Sequence, residues 1–206
     1  MSNLSALDLA ALLCSRVCHD VVGSVGAISN GLEVLDEEKD AEMREIAGTL
    51  VRKSAAQASA KLTFSRIAFG AAGSAGAEID LDDAREKAEL LLSFEKANLI
   101  WDMPRDMRPK NEVKLLLNLI LVGLSVIPRG GDMTVSADGE RGLKLVCNGR
   151  NARIPGHAEW FENLPQTLDD VDAHSVQPIY AALLADACNM KVTFSLDGER
   201  VDIVAG

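Results

Sequence analysis

The stretch "CSRVCHDVVGSVGAISNGLEVL", residues 14–35, decides the first half of the fold. Its apolar positions belong to a longer set: Leu7, Ala11, Cys14, Cys18, Val21, Val25, Ile28, Leu32 and Leu35, spaced alternately by four and three. That heptad seam predicts one helix from about Ser5 to Leu35, of the kind found in helical bundles and coiled coils. "SALD" at residues 5–8 offers a capping-box-like start, with Asp in place of Glu. "DEEKD" (36–40) is a polar turn, and a second helix is predicted from about Ala41 to Ala68 on Met43, Ile46, Leu50, Val51, Leu62 and Ile67. Within it "KSAAQASAK" (53–61) is small enough to permit close helix approach. Two long helices joined by a short turn make an antiparallel hairpin. A hairpin alone buries little, and the economical partner is a second copy, giving a dimeric four-helix bundle with Val21, Val25, Ile28 and Leu32 central.

"GAAGSAGAE" (70–78) is a small-residue linker, so the chain divides into a helical hairpin at 1–69, the linker at 70–78 and a second domain at 79–206. In that domain "EIDL" and "ANLIWDM" read as strands, with a helix from Asp83 to Glu95 between them. "KNEVKLLLNLILVGLSVI" reads as a helix ended by Pro128 and two glycines. Hairpins are expected on Asp138-Gly139 and Asp197-Gly198, with the helix "VQPIYAALLADAC" between them. Helices on one face of a mixed sheet follow, so the fold class is α+β: a helical hairpin and an α/β sandwich.

Composition narrows the function. A hydrophobic content of 48% supports a core, and a net charge of −10 argues against nucleic acid. No apolar run reaches the roughly 20 residues that span a bilayer, "VKLLLNLILVGLSVIP" coming nearest. The N-terminus has neither a basic n-region nor a cleavage site, so a cytoplasmic location without membrane attachment is expected. The four cysteines, Cys14, Cys18, Cys147 and Cys188, mostly sit in apolar patterns, as buried reduced thiols do. No metal site is expected, because His19 points away from the face that Cys14 and Cys18 share.

His19 lies about 130° around the helix from the seam, on the outer side. Leu12, Arg16, Gly23, Gly26 and Asn30 share its stripe. Two glycines there cost roughly 1 kcal/mol each relative to Ala, which close approach by a partner would offset. An exposed imidazole beside Asp20 is a nitrogen nucleophile near neutral pH. Phosphoryl transfer to it needs chiefly in-line positioning and charge neutralisation. A solvated surface histidine is the alternative that spacing leaves open. His157 and His174 fall in loop-like contexts and read as solvated, and Trp101 and Trp160 as packing residues.

"HDVVGSVGAI" (19–28) resembles the phosphoacceptor box of histidine kinases, the hairpin resembles their dimerisation and phosphotransfer domain, and the second half resembles their ATP-binding domain in element order. As a whole the chain is similar to the ChpT histidine phosphotransferases of alphaproteobacteria. That resemblance implies a phosphorelay carrier in cell-cycle control, with His19 as phosphoacceptor and Asp20 as supporting acid. Arg16, Val22, Gly23, Gly26, Ala27 and Asn30 would dock the partner. It further implies a homodimer, a donor receiver domain on a CckA-like hybrid kinase, and CtrA-like and CpdR-like response regulators as acceptors. No cofactor would be bound by the chain itself, and Mg²⁺ would come with the receiver.

The second half departs from the kinase pattern where ATP would be held. Val122 stands where the Mg²⁺-binding Asn belongs and Ser125 where Lys or His is usual. The Asp-x-Gly-x-Gly positions fall on Gly149, Asn151 and Arg153, and the lid Gly-x-Gly on Ser175 and Gln177. Metal ligand, adenine acceptor and phosphate cradle are therefore all missing, and no nucleotide binding is expected. An ATP-dependent histidine kinase and a scaffold or antikinase whose His19 never carries phosphate are the rivals.

Overall fold

Two long antiparallel helices run into a sandwich of three helices and a mixed sheet in the computed structural model, which describes residues 5–70, 77–165, 171–173 and 175–206. α1 (Ala6–Glu37) starts at Ser5, whose hydroxyl accepts from the Asp8 N–H at 3.1 Å and donates to the Asp8 carboxylate at 2.5 Å. The capping box is thus closed on the cap hydroxyl. α2 (Ala41–Ala68) starts at Asp40, which accepts from the Met43 N–H at 3.0 Å. Arg44 seals the intervening turn by donating to the carbonyls of Leu35 and Glu38.

The two helices meet on a face other than the heptad seam. α1 buries Ser24 and Gly31, and α2 buries Ala47, Ser54 and Ala58. A Cβ on Gly31 would lie 2.6 Å from Val51 Cγ2 and 3.4 Å from the Ala47 carbonyl oxygen, so the backbones close up there. Ser24 donates to Gln57 at 3.3 Å one step along. The predicted seam lies roughly a quarter turn around α1. Its members Leu7, Val25 and Leu32 are exposed, as are Met43, Ile46 and Leu50 of α2. Cys14 and Cys18 share that uncovered stripe and are exposed, which corrects the expectation that these thiols are buried. Cys147 and Cys188 are buried, and burial pushes their thiols up to about 12 and about 11 respectively.

β1 (Glu78–Asp80) pairs antiparallel with β3 (Met107–Pro109), a strand the sequence pattern does not announce. Between them lie α3 (Leu81–Leu92) and β2 (Ala97–Asp102). α3 starts two residues before its predicted position because Asp80 caps it, accepting from the Asp82 N–H at 2.9 Å. α4 (Lys110–Val126) is followed by the hairpin of β4 (Gly131–Asp138) and β5 (Gly142–Asn148). That hairpin has a three-residue loop, since Asp138 pairs with Gly142. A 3₁₀ turn (Ala158–Phe161), α5 (Val176–Ala187) and the hairpin of β6 (Val192–Asp197) and β7 (Arg200–Ala205) complete the chain. The five-stranded sheet has the order β2-β4-β5-β7-β6, parallel only at β2–β4.

Met133, Val135, Leu143, Leu145, Cys147, Val201 and Ile203 alternate inward to pack beneath α4, which is buried on nearly every side. α4, the nearest candidate for a span by sequence, is therefore a core helix. The helix long and apolar enough by length and composition to cross a bilayer is α1, whose apolar excess is the stripe α2 leaves uncovered. Phe64, Ile67 and Ala68 of α2 lie in the same core as Leu81, Leu91 and Leu116. Asn118 Nδ2 donates to the Ala68 carbonyl at 3.0 Å, and Gln177 Nε2 donates to the Asn118 carbonyl at 2.9 Å and its side-chain oxygen at 3.2 Å. These bonds satisfy an orphan carbonyl at the end of α2 and tie α2, α4 and α5 together. Most of the linker, residues 71–76, lies outside the described residues, as does His174.

Candidate functional site

His19 stands midway along α1 with 54% of its side chain exposed. Asp20 follows it, turned inward and half-buried, because the next residue on a helix is rotated about 100°. The Asp20 carboxylate is held by Arg16, whose Nε donates to Oδ2 at 2.8 Å one turn earlier. Its other oxygen lies 3.9 Å from His19 Nδ1, longer than a hydrogen bond and well within electrostatic range. On the opposite helix Lys61 donates from Nζ to the Asp20 backbone carbonyl at 2.9 Å. A carboxylate anchored on one side by a guanidinium thus faces the imidazole with its second oxygen.

Beyond His19 the surface is clear. A Cβ on Gly23 or Gly26 would meet nothing within 4 Å, so neither glycine is required by packing inside the chain. Val22 and Asn30 are exposed beside them. Ala27 is half-buried, and Arg16 is engaged with Asp20, so these two border the open face rather than form it. Arg16, Asp20 and Lys61 also line a cleft of about 350 Å³ between the hairpin and the sandwich, with Leu91, Leu121 and Ser125 opposite. Lys61 was not singled out by sequence reasoning; the one signal was a cation closing an otherwise small-residue run, 41 residues from its acceptor.

The positions that the resemblance to kinases assigns to nucleotide binding have other occupations. Val122 is buried, and its carbonyl accepts from the Ser125 hydroxyl at 2.7 Å. Gly149 packs so tightly that a Cβ would lie 2.5 Å from the Gly130 carbonyl oxygen. Asn151 adopts a positive φ of 63°, and Arg153 is exposed, its N–H donating to the Val126 carbonyl at 3.1 Å. Ser175 exchanges hydrogen bonds with Asp172, and Gln177 is spent on Asn118. Between these elements is a cleft of about 150 Å³ lined by Arg16, Val122, Ser125, His157 and Gln177. Small-molecule sites usually run to 300–1,000 Å³. His157, expected to be solvated, is half-buried and stacks on Trp160 with ring centroids 4.1 Å apart. Among the described residues no three His, Cys, Asp or Glu side chains come together as a metal site, and Cys14, Cys18 and His19 do not converge.

Comparison with known proteins agrees with this architecture. The family model for the histidine phosphotransferase C-terminal domain matches residues 81–200. The chain is 46% identical over 202 residues to the protein phosphotransferase ChpT of Brucella abortus (strain 2308), covering 97% of this chain and 95% of that one. It also superposes on a solved bacterial phosphotransferase with a TM-score of 0.90 and 42% identity, covering 99% and 98% of the two chains.

Proposed function

This chain belongs to the histidine phosphotransferase family, and from that premise we propose that His19 is the residue that carries the phosphoryl group. The supporting observation is the exposed imidazole beside an Arg16-anchored carboxylate, on a helix face left clear at Gly23 and Gly26. The donor is the aspartyl phosphate of a receiver domain. A lone pair on the imidazole Nε2 attacks phosphorus in line, the P–N bond forms, and the P–O bond to the receiver's carboxylate breaks, returning that carboxylate as an anion. The proton stays on Nδ1, the nitrogen nearer Asp20, whose negative charge offsets the positive charge that develops on the ring. Transfer to a second receiver reverses each step. Mg²⁺ belongs to the receivers, which hold the transferring phosphate.

Within that role the donor is the receiver of a CckA-like hybrid kinase and the acceptors are CtrA-like and CpdR-like regulators, in a cytoplasmic cell-cycle relay. The protein works as a homodimer, its two copies covering the apolar stripes of α1 and α2 as a four-helix bundle. ATP has no role: the narrowed cleft at Val122 and the internal bonding of Ser175 and Gln177 support a second domain that does not take nucleotide.

The deciding experiment mixes the protein with a labelled, phosphorylated receiver and looks for acid-labile, base-stable phosphate. Wild type should take up label, and His19→Ala should take up none while keeping its fold. Label arriving at another histidine in the variant would sink the assignment. Label acquired from ATP alone would restore the kinase reading.

A further inference from the structure

The five-stranded sheet ends on β6, and among the described residues no strand pairs with its outer edge. Lys191 and Gly206 exchange both backbone hydrogen bonds, at 2.8 and 3.2 Å. Counting by twos from that pair, Thr193, Ser195 and Asp197 bond to β7, and the N–H and C=O groups of Val192, Phe194 and Leu196 point outward. Among the described residues no backbone group bonds to them from outside the sheet. Natural edges are commonly blunted by Pro, Lys or a bulge. β6 contains no Pro, pairs in unbroken register, and has a lysine only at the start of its ladder, at Lys191.

Beside this edge runs a groove of about 380 Å³, walled by Val192, Thr193 and Phe194 on one side and by Ile154, Glu159 and Glu162 on the other. Val192 and Phe194 face one side of the sheet and Thr193 the other, so a groove touching all three follows the strand's outer edge. Phe161 packs on Phe194 with ring centroids 5.3 Å apart, propping the second wall beside the strand. Both carboxylates are exposed, and among the described residues no cation lines the groove.

We infer that this edge and groove dock an extended, basic segment of a partner protein, which adds to the sheet as a sixth strand. Outward backbone groups supply the ladder, and Glu159 and Glu162 select lysine or arginine side chains. A second copy of this chain is disfavoured as occupant, because pairing edge to edge would bring two acidic rims together. The site is remote in sequence from His19 and independent of the phosphotransfer reading.

The test uses the intact protein and a fluorescent peptide, acetyl-Lys-Val-Arg-Val-Lys-Val-amide, as probe. Saturable binding is expected, weakening at least roughly tenfold with Glu159→Lys plus Glu162→Lys. It should be lost when the peptide is N-methylated at alternate residues, a control that leaves the protein untouched. Hydrogen exchange at the Val192, Phe194 and Leu196 amides should slow on binding. No binding, equal binding of the peptide with Glu at its basic positions, or binding without protection of those amides would overturn the proposal. So would amides already protected in the free protein in proportion to its concentration, which would identify a second copy.

Discussion

Gly31 on α1 faces Val51 on α2 so closely that a single added methyl would meet Val51 Cγ2 at 2.6 Å, whereas Gly26, five residues earlier, faces open space. The two glycines therefore do different work. Gly31→Leu should overpack the hairpin and cost about 1–3 kcal/mol, since the β-branched Val51 has little rotamer freedom with which to yield. Gly26→Leu should keep or raise the melting temperature by helix propensity. It should nevertheless slow phosphate transfer in both directions by filling the receiver's space. Melting curves and transfer rates on the two variants check this, and stability loss at Gly26 with normal transfer would contradict it.

Val25 is half exposed within the chain, so Val25→Asp should leave the protomer folded. In the proposed bundle it would put an unpaired charge in the seam between copies. Sedimentation velocity should show monomer, with an unchanged helical circular dichroism spectrum. A persisting dimer would rule out this face.

Glu112 is almost wholly buried at the start of α4, paired with Arg141 and 3.6 Å from the equally buried Arg108. Arg108 in turn donates to the carbonyls of Arg141 and Glu140, joining the β3–α4 junction to the β4–β5 loop. Glu112→Ala would leave the buried Arg108 guanidinium with only the exposed Asp106 carboxylate, 3.6 Å away, as an acidic neighbour among the described residues, and should cost about 3 kcal/mol. Most of that loss should be traceable to Arg108, because Arg141 is largely exposed. Urea unfolding of Glu112→Ala, with and without Arg108→Met, measures the coupling.

Lys114 is buried, and its Nζ donates to the Tyr180 hydroxyl at 3.5 Å. Burial, and then the nearby Lys110, hold its proton affinity below that of an ordinary lysine. The unfolded chain therefore binds this proton more tightly than the native one, and stability at this site rises with pH. The cost is full below the folded pKa and fades as pH approaches 10.5. Lys114→Met should raise the melting temperature at pH 7 by roughly 2–6 °C, for about 1–2 kcal/mol. The gap to wild type should narrow by pH 10.

The periodic elements could be read before any coordinates. α2 spans Ala41–Ala68 as its pattern predicts, and the hairpin on Gly198 forms where its turn residues stand. The face by which α1 meets α2 could not be read. Heptad apolar residues advertise the strongest hydrophobic stripe, but the hairpin closes through Ser24, Gly31, Ser54 and Ala58, where small size rather than apolarity sets the contact. Cys14 and Cys18 lie on the uncovered stripe for the same reason. β3 escaped notice because three residues carry no alternation, and α3 began early because its cap, Asp80, doubles as the last residue of a strand. At the site, His19 and its clear stripe follow from helical geometry. Lys61 does not, because nothing local links it to the Asp20 carbonyl.

The end of α2 is fastened into the sandwich by Asn118 and by the burial of Phe64, Ile67 and Ala68. The histidine-bearing hairpin and the sandwich should therefore melt as a single cooperative unit, and cutting the chain after residue 69 would strip Phe64 and Ile67 of their cover. The hairpin is thus no portable module. The sandwich is the foundation on which the helix bearing His19 stands.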